Sequence, residues 1–321
     1  MRQIFVSNNH IGKTIALPIY TNKGFIFVRE GNVLTEALIE KLHGIGIAYI
    51  YVEENFADNV VIELALPDTL RLTVLQELQA LYKDIEKNRR VNEAAFTKIA
   101  RNILMHINVS ENSILPQDHA TNDFISKLAM HSLHVAVSCI YGLKNRREKI
   151  DLIEKVIITA LLHDVGKLID KNDPLQAGVE VIKSTTNYPA TIYIPIMHLN
   201  ERYDGTGPLK VKGDSLFLNS QVLHIANDYV NLLSKYNRVY EAVETLSADA
   251  VGKFDMDIFK SVTDAFYCYP NGLMVQLLDK REGIVVRQNK NFTTRPVVMT
   301  TTNEVVDLVT SPTIFIASTL D

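Results

Sequence analysis

Leu162-His163-Asp164-Val165-Gly166-Lys167 closes an apolar run with an imidazole, a carboxylate, a glycine and an ammonium. Upstream, Ile153, Ile157, Ala160 and Leu161 recur at intervals of three and four, the pattern of a buried helix that delivers its last turn to a site. Adjacent side chains leave a helix about 100° apart, so His163 and Asp164 can ligate different faces of one metal centre, or two neighbouring metals, without backbone movement. The same residues also read as a plain helix end, with Gly166 as the stop, Lys167 facing the helix dipole and His163 as a core histidine. The stretch alone leaves both readings open.

Working outward, the chain becomes helical on both sides of this stretch and alternating at its two ends. A helix spans about Asn122 to Tyr141 and carries His131 and His134. His198 precedes an acidic, glycine-rich loop, and Asp228 stands inside the apolar Val222-Leu223-His224-Ile225-Ala226-Asn227-Asp228-Tyr229. A carboxylate on such a helix is costly to bury unless it is paired or bound to a cation. His43, His106, His119 and His224 lack such company and read as surface or ordinary packing residues. Leu70, Val74, Leu78, Leu81 and Ile85, then Phe96, Ile99, Ile103 and Ile107, mark two earlier helices that read as a connecting bundle or a dimer seam.

Residues 1 to 56 alternate as strands at Gln3–Val6, Thr14–Leu17, Gly24–Val28 and Ala48–Val52, with a turn at Asn22-Lys23-Gly24 and a helix capped by Thr35. Alternation returns after residue 267 at Met274–Leu278, Gly283–Val286, Pro296–Met299 and Thr313–Ala317, which suits a meander or small barrel. The expected fold class is therefore mainly α, a helical domain at 115–266 preceded by a small α+β module at 1–56 and a helical connector at 66–112, and followed by a β unit at 267–321.

The chain has 321 residues, 47% of them hydrophobic and 22% charged, enough for two or three cores. A formal net charge of −4 gives no reason to expect a nucleic acid polymer as partner, so an anionic ligand would need local cations. Two cysteines, Cys139 and Cys268, each in an apolar stretch, support neither a disulfide framework nor a thiolate zinc site and suit a reducing cytoplasm. No run of about 18 apolar residues and no charged-then-apolar leader is visible, so neither a membrane span nor secretion is expected. A nucleotide-binding glycine fingerprint, a P-loop and a Gly-x-Ser-x-Gly elbow are likewise missing.

The ordered set His131, His163-Asp164, Gly166-Lys167, Glu201-Arg202-Tyr203-Asp204-Gly205-Thr206-Gly207 and Asp228 resembles the HD-GYP family, a branch of the HD phosphohydrolase superfamily. The resemblance covers about residues 120 to 265, continuing through Arg238-Val239-Tyr240 and Gly252-Lys253-Phe254-Asp255. It implies an all-α HD-type catalytic domain that hydrolyses the bacterial second messenger cyclic di-GMP with a hydroxide bridging its metals. It further implies His131, His163, Asp164 and Asp228 as metal ligands and Lys167 as a phosphate contact. His198 enters by a one-residue slip, and Asp173 stands where the family has a further histidine. Lys167, Arg202 and Arg238 are the candidate cations for the dinucleotide; for the two arginines a structural ion pair is the competing reading.

The resemblance also implies two divalent transition metals, iron favoured and manganese an alternative, and imidazole and carboxylate suit both. Lys127, four residues before His131, argues against a third metal. The chain also departs from the motif: the His-His pair reads Leu199-Asn200, and the Tyr-Pro end is reduced to Pro208. A divergent phosphodiesterase, a sensor that binds the dinucleotide or a protein partner without turnover, and a general HD nucleotidase are the functions carried forward.

Overall fold

The computed structural model describes residues 1–21, 25–54, 60–115 and 123–320. The turn expected at Asn22-Lys23-Gly24 and the residue His119 lie outside the described residues. The chain forms two compact units, Met1–Ala65 with Ser110–Asn122 and Tyr267–Asp321, and Leu66–Val109 with Asp123–Phe266.

In the first unit β1 (Arg2–Phe5) pairs antiparallel with β4 (Tyr49–Val52), and β2 (Ile19–Tyr20) with β3 (Ile26–Val28). Between them α1 (Glu36–Gly44) starts where the Thr35 side chain accepts a hydrogen bond from the Leu38 amide, as its sequence foretold. The strand expected at Thr14–Leu17 is reduced to two isolated bridges, Thr14 to Val33 and Ile15 to Val52. Ile4, Val6, Ile15, Leu34, Ile39, Leu42 and Val52 close this core.

The short β5 (Glu63–Leu64) and β6 (Ser113–Ile114) pair in parallel. The alternation at the C-terminus becomes one open sheet. β7 (Met274–Leu277), β8 (Glu282–Arg287), β9 (Val297–Thr300) and β10 (Val305–Asp307) form an antiparallel meander, and β11 (Ile316–Thr319) returns beside β7. The linear division into four segments therefore differs from the units seen, because the N-terminal module and the β tail share one of them.

The second unit is all helical: α2 (Asp68–Asn88), α3 (Glu93–His106), α4 (Phe124–Asn145), α5 (Ile150–Leu162), α6 (Pro174–Thr185), α7 (Ala190–Met197), α8 (Leu218–Tyr236), α9 (Val239–Ala248) and α10 (Met256–Thr263). At its centre α4 packs against α2, α5, α8 and α10, while α5 also meets α3, α7 and α8. By length and composition α4 alone among the described helices could cross a membrane, but 67% of its apolar window is buried in this core. Burying each Ile or Leu of α5, from Ile153 to Leu162, is worth about 1.5–3 kcal/mol, which holds the end of that helix deep in the bundle.

The helices α2 and α3 belong to this unit rather than forming a separate connector. The reason is local: the buried Tyr82 hydroxyl donates to the Leu161 carbonyl at 2.6 Å and Arg89 Nη1 donates to the Leu168 carbonyl at 2.8 Å. Both carbonyls flank the His163-Asp164 turn.

Candidate metal centre

The turn after α5 is shaped by close backbone packing. Val165–Leu168 forms a 3-10 turn against α6, and a Cβ on Gly166 would lie 1.7 Å from the Pro174 carbonyl oxygen. Gly166 thus serves close approach rather than a simple helix stop. With the turn so held, His163 stands at the C-cap of α5 and Asp164 directly after it, both buried.

His163 Nδ1 lies 2.7 Å from the Ala160 carbonyl. A carbonyl only accepts, so Nδ1 carries the hydrogen and Nε2 presents its lone pair. This is the backbone support typical of a metal-ligating imidazole. His163 Nε2 is 3.2 Å from His131 Nε2 and 3.4 Å from Asp164 Oδ2, and His131 Nε2 is 3.8 Å from the same oxygen. Ligand atoms that share one ion at about 2.1 Å stand about 3.0–3.4 Å apart in common geometries, so the three atoms fit a single ion with little adjustment. Among the described residues no other group of three histidine, cysteine, aspartate or glutamate side chains is so placed.

Electrostatics agree with a donor set. Burial, aided by His163 and Lys167 and opposed by Asp164, pushes His131 down to about 4, so the ring is neutral; its Nε2 faces two acceptors, Asn227 Oδ1 and the His163 Nε2 lone pair, and offers a lone pair to an ion in the other tautomer. Burial alone would raise the Asp164 carboxyl, but His163 and Lys167 outweigh it and hold the group below the usual carboxylate range. Lys167 Nζ sits 2.5 Å from Asp164 Oδ2, the oxygen that also faces both imidazoles. The ammonium and a metal ion would therefore draw on the same atom.

The next expected ligand is not there. Asp228 Oδ2 lies 2.7 Å from Lys253 Nζ and 3.4 Å from His224 Nε2. The residue of α8 that faces His131 is Asn227, whose Oδ1 is 3.0 Å from His131 Nε2. One residue along a helix turns a side chain by about 100°, so the two neighbours serve different surroundings.

Asp173 is likewise occupied elsewhere, capping α6 by accepting from the Gln176 amide. His198, the C-cap of α7, faces Ser220 Oγ at 3.4 Å, and burial lowers its pKa. Neither joins the His131, His163 and Asp164 group. Lys127 is exposed on α4 one turn before His131.

The glycine-rich motif builds a loop. The buried Glu201 accepts from the amides of Leu209 at 2.6 Å and Val211 at 2.8 Å. Asp204 accepts from the Thr206 amide and hydroxyl, which hold its carboxyl below its ordinary range. Arg202 pairs with Asp204 at 3.8 Å and Asp249 at 4.0 Å, and Arg238 with Glu241 at 3.0 Å. The structural reading of both arginines is thus the one seen, leaving Lys167 as the candidate cation that adjoins the metal group.

Reasoning from sequence missed four participants: Tyr82, Asn227, His224 and Lys253. The spacing of His224 and Asp228 by four was a signal for a pair on one helix face. A neutral amide next to a carboxylate gave none.

No family model matches the chain. A curated relative, the cyclic di-GMP phosphodiesterase PA4108 of Pseudomonas aeruginosa, is 25% identical over 183 residues, 50% of this chain and 44% of that protein. The matched part is thus less than half of the relative's length. Among solved structures, Bd1817, a HDG"Y"P protein from Bdellovibrio bacteriovorus, shows a TM-score of 0.46 at 14% identity, over 82% of this chain and 98% of that one. In its ordered motifs and in its likeness to the curated relative, this chain is similar to the HD-GYP family.

Proposed function

We propose that the helical unit holds one divalent transition metal ion and acts on cyclic di-GMP as a slow phosphodiesterase. The observation that carries this reading is the convergence of His131, His163 and Asp164 ligand atoms within 3.8 Å of one another, with Asn227 Oδ1 3.0 Å from His131 Nε2. Two imidazoles and a carboxylate suit iron or manganese. A divalent ion supplies Lewis-acid polarisation of a phosphoryl oxygen. Lys167, half exposed beside Asp164, is the chain's own cation for a second phosphate oxygen.

Two features argue for one ion and a low rate. Asp228 and Asp173 stand outside the His131, His163 and Asp164 group, Asp228 beside Lys253 and Asp173 at the start of α6, which favours one ion. The neutral Asn227 leaves one negative charge fewer around it. A cytoplasmic location is part of the proposal, in keeping with two free, buried cysteines.

A second reading, a dinucleotide receptor without turnover, is favoured by one observation: the Lys167 ammonium lies on the Asp164 oxygen that the ion needs. The deciding experiment takes wild type and Asn227→Asp through manganese titration, cyclic di-GMP equilibrium dialysis and chromatography of products. Wild type should bind the dinucleotide and turn it over slowly. Asn227→Asp should bind manganese about 10–100-fold more tightly and hydrolyse faster. Binding without any product from a metal-loaded wild type selects the receptor reading, and absence of binding refutes both.

A further inference from the structure

Lys253 Nζ meets Asp228 Oδ2 at 2.7 Å and Asp249 Oδ2 at 3.0 Å, and Asp249 in turn meets Arg202 Nη1 at 4.0 Å. Arg202 Nε continues to Asp204 Oδ2 at 3.8 Å. Alternating charges therefore run from the middle of α8 into the glycine-rich loop. The backbone follows the same route. The Tyr203 amide donates to the Lys253 carbonyl at 3.0 Å and the Asp204 amide to the Gly252 carbonyl at 2.9 Å. Gly252 has φ +76, and a Cβ there would lie 2.8 Å from Asp204 Oδ2, so the two segments are packed as closely as glycine allows.

The inner end of this chain of charges is the best protected from water. The Asp228 and Lys253 side chains are 21% and 17% exposed, whereas that of Asp249 is 62% exposed. Beside Asp228, His224 packs edge-on against the buried Phe254, the residue after Lys253. Screening weakens the outer pairs most, so the Asp228 and Lys253 contact is the strong member.

We propose that Asp228 and Lys253 are positioning residues that fasten the loop 201–213 to α8, one residue from the Asn227 that faces the metal group. Asp228 then orders the loop and is not a ligand. What the loop is ordered to contact rests on the dinucleotide reading above, but its fastening does not.

The test uses the full chain with Asp228→Asn, Lys253→Met and Lys253→Arg, and three readouts: amide hydrogen exchange, manganese affinity and cyclic di-GMP affinity. Exchange at residues 203–213 should quicken about tenfold in Asp228→Asn and Lys253→Met, the cost of one charge-assisted contact. Amides of α3 should not change, manganese affinity should stay at the wild-type value, and Lys253→Arg should restore slow exchange. A loss of manganese affinity in Asp228→Asn with loop exchange unchanged would return Asp228 to the metal shell and overturn the proposal. Exchange that quickens equally in α3 would make the pair a general stabiliser and overturn it too. Should wild type fail to bind cyclic di-GMP while the loop responds as stated, the dinucleotide reading falls and the fastening stands.

Discussion

Replacing Gly166 with alanine asks how far the metal group depends on one missing methyl. The added Cβ would start 1.7 Å from the Pro174 carbonyl oxygen and 2.7 Å from the Gly178 amide nitrogen, where real Cβ atoms keep beyond 3.0 Å. Restoring 3.0 Å from 1.7 Å needs a shift of 1.3 Å between the turn and α6. Both obstacles are backbone and cannot swing aside. Overpacking of this kind costs about 1–3 kcal/mol and sometimes more, and the upper end is expected here. The entropy that alanine removes from the unfolded chain returns only about 0.4–1 kcal/mol.

Asp164 lies two residues away, so a shift of that size also spreads the three ligand atoms. Gly166→Ala should therefore lower the urea midpoint and weaken manganese binding together. Gly178→Ala is the control, since its Cβ would meet nothing nearer than 3.2 Å and should cost far less. A Gly166→Ala protein that unfolds at the wild-type urea concentration and binds manganese normally would show that α6 does not set the position of the turn.

Three further outcomes follow from the same contacts. Lys167→Ala should raise manganese affinity, by no more than about fivefold because the ammonium is half exposed, while weakening dinucleotide binding; an unchanged metal titration would mean Lys167 does not compete for Asp164. Tyr82→Phe should cost about 1–2 kcal/mol in urea unfolding, because it removes the 2.6 Å bond to the buried Leu161 carbonyl. The third outcome concerns pH: burial, only partly offset by Asp228, lowers His224 from 6.5 to about 4, so below 6.5 the unfolded chain takes up a proton that the folded chain refuses. Stability from this group is complete above 6.5 and declines as pH falls towards 4, by up to about 3 kcal/mol, and His224→Gln should flatten that part of a urea series between pH 7 and pH 4.5.

What the sequence made legible follows burial and period. His163 and Asp164 stood out because an imidazole and a carboxylate at the end of Ile153, Ile157 and Leu161 have few reasons to be buried without a partner. His131 followed for the same reason on α4. Asp228 failed because chemistry and geometry pointed to neighbours: the carboxylate is the better ligand, but the amide of Asn227 has the right angle on the helix. Both residues are half-buried, so the apolar pattern of α8 does not separate them.

The partner of Tyr82, and that of Lys253 although the resemblance included this residue, were invisible for another reason, since they lie 79 and 25 residues away and no period links them. The strand expected at Thr14–Leu17 shows the limit of alternation alone. It found single bridging partners rather than a ladder. The search for an unbroken apolar run passed over α4, whose mean hydropathy and length make it apolar enough to cross a membrane, a property that a bundle's central helix shares with a membrane span.

The grip of α2 on the metal turn carries a mechanical consequence. Tyr82 lies in the last two turns of α2 and Arg89 is its left-handed C-cap, seven residues on; their acceptors Leu161 and Leu168 are seven residues apart as well. The two bonds therefore hold the C-terminal end of α2 at two points, one on each side of the metal turn. An axial shift of α2 by a single residue, about 1.5 Å, would strain both bonds in the same motion. Force arriving along α2 would therefore reach both sides of His163 and Asp164 at once.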